Sequence, residues 1–107
     1  GSLDRFRDLI HIDDVVEEWK LCLEKNKTNQ IFNIASGKAT KFSTIINNLI
    51  NIIKPDQKVK VIQKGITYGD LKGSLADIKK TKKYLNFTAK TKLENGLLKM
   101  WQNENKK

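Results

Sequence analysis

From Phe42 to Ile53, apolar side chains return at Phe42, Ile45, Ile46, Leu49, Ile50 and Ile53, with Pro55 just beyond. This is the 3.6-residue period of a helix with one apolar stripe, and the proline cannot continue the turn. Such a helix has to bury its stripe, so the neighbouring segments decide the fold class. Arg7 to Ile12 (R-D-L-I-H-I) alternates polar and apolar residues, and Gln30 to Ala35 and Lys58 to Ile62 also read as short strands. A further helix is expected from about Asp14 to Asn26, capped by Asp13 or Asp14, with Val15, Val16, Trp19, Cys22 and Leu23 turned towards a core. Asp77 opens a short helix with Ile78, Thr81 and Leu85 on one side. A last helix, from about Lys92 to Asn103, turns Leu93, Leu97, Met100 and Trp101 inward, with Gly96 at a point of close packing. The order strand, helix, strand, helix, strand, helix, helix places residues 1–107 in the α/β class as one domain. Its sheet is expected to be small and partly parallel, with about three short strands and about four helices.

Composition removes several classes. With 38% hydrophobic residues and one proline among 107, the chain is neither disordered nor collagen-like. The longest apolar stretch, Ile45 to Ile53, is broken by Asn47, Asn48 and Asn51, far short of the roughly 20 residues a spanning helix needs. The lone Cys22 excludes an internal disulfide and fits a reducing, cytoplasmic location. His11 is the only histidine, with no cysteine at ligand spacing, so a hydrogen-bonded histidine is expected rather than a zinc ligand.

Between Gln63 and Leu75, Gly65, Gly69 and Gly73 interrupt any period, marking a loop with special backbone needs. Within it, Tyr68 and Lys72 have Tyr-x-x-x-Lys spacing, but that pair works where i and i+4 share a helical face, and this stretch is a poor helix. No G-x-G-x-x-G occurs anywhere in the chain.

Four blocks stand in register: R-D-L-I-H-I-D-D-V-V at Arg7 to Val16, I-F-N-I-A-S-G-K at Ile31 to Lys38, G-D-L-K-G-S-L-A-D at Gly69 to Asp77, and L-E-N-G-L at Leu93 to Leu97. Together they resemble the C-terminal third of the extended short-chain dehydrogenases, the NAD-dependent nucleotide-sugar epimerases and dehydratases such as UDP-glucose 4-epimerase. The resemblance implies the C-terminal portion of an extended Rossmann-type fold, acting as a substrate-binding subdomain. The NAD-binding Rossmann domain and its catalytic Tyr-x-x-x-Lys would precede this segment. The helix near Asp14 and the strand Gln30 to Ile34 would complete an edge of that Rossmann sheet and expose surfaces that the other half covers.

By the same resemblance, Arg7 contacts the substrate diphosphate, consistent with the paired donors of a guanidinium; an ordinary ion pair to Asp8 or Asp14 is the alternative. Asp70 matches the carboxylate of an Arg-x-Gly-Asp motif that accepts ribose hydroxyls, Gly69 its glycine, and Thr67 stands where its arginine is expected. Asp70 is otherwise a turn former. Lys64 or Lys72 is then the source of compensating charge.

The function expected is nucleotide-sugar binding in an NAD-dependent epimerase or dehydratase. These residues would orient the substrate and have no turnover of their own. NAD would be held by the preceding domain and not by this segment, with the nucleotide sugar and that domain as partners, no membrane contact, and a homodimeric parent. The competing reading starts from 21 Lys+Arg against 12 Asp+Glu, a net charge of +9, with Lys79, Lys80, Lys82 and Lys83 on one short helix. A standalone basic α/β module would bind nucleic acid or another polyanion through that face. A third reading is a non-enzymatic relative that keeps the shape and has lost the ligand.

Overall fold

The computed structural model describes residues 2–25, 29–65 and 67–106. Its elements are β1 (Phe6–Asp8), α1 (Ile12–Glu24), β2 (Ala39–Lys41), α2 (Phe42–Ile53), α3 (Lys79–Leu85) and α4 (Leu93–Asn105). The four helices and the α/β class agree with the sequence reading. The sheet differs in detail: β1 and β2 pair antiparallel, with Phe6 opposite Lys41, Arg7 opposite Thr40 and Asp8 opposite Ala39, and the parallel element is a single bridge from Phe6 to Gly73. A strand exists only where another backbone meets its N–H and C=O groups. Gln30 to Ala35, read as a mostly buried strand, and Lys58 to Ile62, which alternates as strands do, have no pairing neighbour among the described residues, and Ile31 and Ile34 are exposed.

Local chemistry sets the helix ends. β1 stops at Asp8, and His11, expected on the strand, is the N-cap of α1: its Nδ1 accepts the backbone N–H of Asp13 at 3.1 Å. This satisfies one of the free N–H groups of the first turn, and α1 starts two residues earlier than the acidic pair suggested. α2 ends at Ile53, where Lys54 turns left-handed at φ 48° ahead of Pro55. Asp77 Oδ1 accepts the Lys79 N–H at 2.9 Å at the start of α3.

α2 packs on α4, and α1 on α3. Among the described residues the buried hydrophobics are Ala35, Leu85 and Phe87. The radius of gyration is 16.7 Å, with extents of 51 × 37 × 19 Å, against roughly 13 Å for a compact chain of this length. The molecule is a plate whose helices keep much apolar surface open. The α1 stripe was expected to face the core, and the structure divides it: Val16, Trp19 and Leu23 are exposed, Leu23 by 81%, Val15 and Cys22 are half-buried, and Asp14 and Glu18 beside them are buried. On α4, Met100 is likewise exposed rather than inward, whereas Gly96 is buried as expected, a Cβ there lying 2.9 Å from the His11 ring.

Candidate functional site

β1 and the residue before it distribute three charged side chains over two loops. Asp8 accepts the Ser36 hydroxyl at 2.6 Å, the Ser36 N–H at 2.8 Å, the Gly37 N–H at 2.8 Å and the Ala76 N–H at 3.4 Å. Burial pushes its carboxyl up, but these four hydrogen bonds together outweigh burial and hold it below its ordinary 3.8. Arg5 and Arg7, two residues apart and therefore on one side of the extended chain, reach the loop after Thr67 instead.

That loop is built on a turn. The Asp70 N–H donates to the Thr67 carbonyl at 3.2 Å, with Gly69 at φ 81°. A four-residue turn with positive φ at its third position is type II, the geometry that demands glycine. Beyond it the chain is zipped to β1: Phe6 N–H donates to Lys72 O at 3.2 Å and Ser74 N–H to Phe6 O at 3.3 Å. Gly73 sits under the Phe6 ring, where any Cβ would overlap the aromatic carbons.

The turn delivers Asp70 between the two arginines. Arg7 Nη2 donates to Asp70 Oδ1 at 3.1 Å and to the Leu71 carbonyl at 3.3 Å. Arg5 Nη1 pairs with the other oxygen, Asp70 Oδ2, and donates to the Leu71 carbonyl at 3.0 Å. The Arg7 guanidinium also lies 5.8 Å from the Phe42 ring centroid. Two cations around one carboxylate leave a net positive corner of paired, planar donors, suited to an anion.

The structure thus brings Arg7, Asp70, Thr67 and Gly69 into one loop–strand junction. The ion-pair alternative for Arg7 named Asp8 or Asp14; its partner is Asp70, while Asp14 is occupied by the Lys90 and Thr91 N–H groups at 3.2 and 3.0 Å. Sequence reasoning missed Arg5 and looked to Lys64 or Lys72 for charge. The R-F-R alternation was the available signal, because it places Arg5 on the Arg7 side.

A groove of about 790 Å³ lies elsewhere, between the β1–α1 junction, β2, α2 and α4, with Thr40, Ile45, Lys92 and Leu97 among its walls. Arg7 and Asp70 do not line it, although Thr40 is the cross-strand partner of Arg7. Tyr68, fully exposed, and Lys72 flank the type II turn rather than sharing a helical face, and the sequence has no G-x-G-x-x-G. Among the described residues, no three His, Cys, Asp or Glu side chains cluster to hold a metal, and no helix is long and apolar enough to cross a membrane.

No family model matches the chain. It is similar over its whole length to solved nucleotide-sugar enzymes. Against the UDP-glucose 4-epimerase of Thermotoga maritima, solved with UDP-glucose, identity is 28% and the TM-score 0.85, covering 99% of this chain and 33% of that one. Against the UDP-glucuronic acid 4-epimerase of Bacillus cereus, in complex with UDP-glucuronic acid and NAD, identity is 26% and the TM-score 0.83, covering 99% and 34%. An uncharacterised protein of Methanocaldococcus jannaschii is 29% identical over 108 residues, 99% of this chain and 32% of that protein. The chain thus spans about a third of the length of the relatives it matches. It carries the C-terminal part of the fold of the NAD-dependent extended short-chain dehydrogenases, the family of the UDP-sugar epimerases.

Proposed function

We propose that residues 1–107 form the nucleotide-sugar-binding part of an NAD-dependent epimerase or dehydratase, orienting the substrate for hydride transfer performed by a Rossmann domain elsewhere in the protein. The observation that carries this is the meeting of Arg7 and Asp70, 63 residues apart in sequence, on a glycine turn beside the sheet. A guanidinium there grips the diphosphate, and Asp70 and the turn around Gly69 accept ribose hydroxyls. Thr67, at the start of that turn, adds no charge. Binding energy collected at the anionic tail positions the sugar for chemistry at another place. The open apolar face of α1 and the exposed Ile31, at 84%, support a second domain of the same protein packing on this chain.

Calorimetric titration with UDP and UDP-glucose tests the reading. Saturable binding of both, weakened by Arg7→Gln, supports it. Epimerisation or dehydration by the 107 residues alone contradicts the division of labour. Indifference to UDP, combined with tight, steeply salt-dependent binding of DNA or RNA that is lost when Lys79, Lys80, Lys82 and Lys83 become Gln, transfers the function to the basic face of α3.

A further inference from the structure

We propose that Arg5 is the positioning residue of this anion site: it fixes Asp70 and the Leu71 carbonyl to the sheet, so that Arg7 alone changes partner when a nucleoside diphosphate arrives. The inference rests on the reading that Arg7 meets the diphosphate.

The Asp70 carboxylate is divided, Oδ2 to Arg5 and Oδ1 to Arg7. The two arginines differ in access, since the Arg5 side chain is 6% exposed and that of Arg7 26%. A ligand entering from water therefore reaches Arg7 first, while Arg5 is enclosed behind Asp70. The backbone of Arg5 is itself tied down, its carbonyl accepting the Phe42 N–H at 2.9 Å at the start of α2.

The tip of the loop has little else to hold it. Leu71 is 64% exposed, and backbone bonding to β1 resumes only at Lys72. If Arg7 turned to a phosphate with no Arg5 present, Asp70 would be left as an unpaired carboxylate beside an incoming anion, and like charges repel. Arg5 removes that repulsion and keeps the carboxylate aimed at the ribose. Because Thr67 contributes no charge, this second cation comes from the residue just before β1 rather than from the turn.

The test uses the full natural chain, titrated by calorimetry with UDP and separately with uridine, for the unsubstituted protein, Arg7→Gln, Arg5→Gln and Arg5→Lys. Arg7→Gln is expected to weaken UDP roughly tenfold or more while leaving uridine nearly unchanged. Arg5→Gln is expected to weaken both ligands by a similar factor, because the nucleoside-binding carboxylate is released. Arg5→Lys keeps the charge but cannot bond Asp70 and Leu71 with one planar group, so a smaller, equally shared loss is expected in a variant that folds.

Arg5 variants that bind both ligands like the unsubstituted protein, even with a lowered melting temperature, overturn the positioning role. So does a loss confined to UDP, which would make Arg5 a phosphate donor. Failure of the unsubstituted chain to bind UDP instead overturns the reading beneath it.

Discussion

The Asp8 carboxylate and the Ser36 hydroxyl, 28 residues apart, are joined at 2.6 Å, and through this bond β1 holds the loop that leads into β2. Three backbone N–H groups complete the carboxylate's coordination, from Ser36, Gly37 and Ala76. Its pKa lies below the ordinary value, so its contribution to stability is fully present above pH 3.8 and is lost as the pH falls through the lower folded value. Asp8→Asn is expected to cost about 1–3 kcal/mol at pH 7. It should also flatten the acid limb of a stability curve measured by urea unfolding from pH 2 to 7. An unchanged acid limb would show that Asp8 does not organise the loop.

Glu18 has the opposite sign. It is fully enclosed, neither carboxylate oxygen has a hydrogen-bond partner among the described residues, and burial raises its pKa above 4.5. The stability associated with the protonated form is complete below pH 4.5 and disappears as the pH rises through the folded value. Glu18→Leu is therefore expected to stabilise the chain at pH 8 by about 1–3 kcal/mol, the cost of a buried polar group without a partner. The gain should shrink towards pH 4. Equal effects at both pH values would place a partner beside the carboxylate.

What the sequence made legible follows from what each signal needs. α2 was readable because its period and Pro55 are local facts, and the glycine turn because Gly69 is forced by backbone geometry. The Arg7–Asp70 corner was reached only through resemblance, since nothing local joins residues 63 apart. Strand pairing was less readable: Lys58 to Ile62 alternates correctly, yet alternation states which face is apolar and not whether a neighbouring backbone exists. β2, three residues long, is too short to show a period. The α1 stripe was correctly located but is only partly covered, with Val15 and Cys22 half-buried, because periodicity identifies an apolar face without naming what it packs on. Asn26, where the sequence reading ends the first helix, lies outside the described residues.

The open side of α1 makes a prediction about association. Val16, Trp19 and Leu23 form an exposed apolar face on one helix, the kind of patch that soluble monomers seldom leave uncovered. The 107-residue chain is expected to self-associate at micromolar concentration and to bind a hydrophobic dye. Trp19→Lys with Leu23→Lys should abolish both without loss of helical circular dichroism. Sedimentation velocity distinguishes the outcomes, and a monomeric unsubstituted chain with no dye binding would mean that this face does not drive contact.

The glycines of the binding loop should separate by mechanism. A Cβ at Gly65 meets nothing within 4 Å and its backbone is unstrained, so Gly65→Ala is expected to be neutral. Gly69→Ala forces a side chain into the left-handed region at φ 81°, costing about 1–2 kcal/mol, and it should weaken UDP binding because the turn presents Asp70. Gly73→Ala should be worse, since its Cβ overlaps the Phe6 ring, and strain of this steric kind is relieved by shrinking the neighbour. Combining Gly73→Ala with Phe6→Leu should therefore recover part of the loss, giving a favourable coupling of roughly 1 kcal/mol or more in a double-mutant cycle of urea midpoints. Strict additivity of the two substitutions would mean that the ring does not rest on Gly73, and the zipper from β1 to the loop would have to be redrawn.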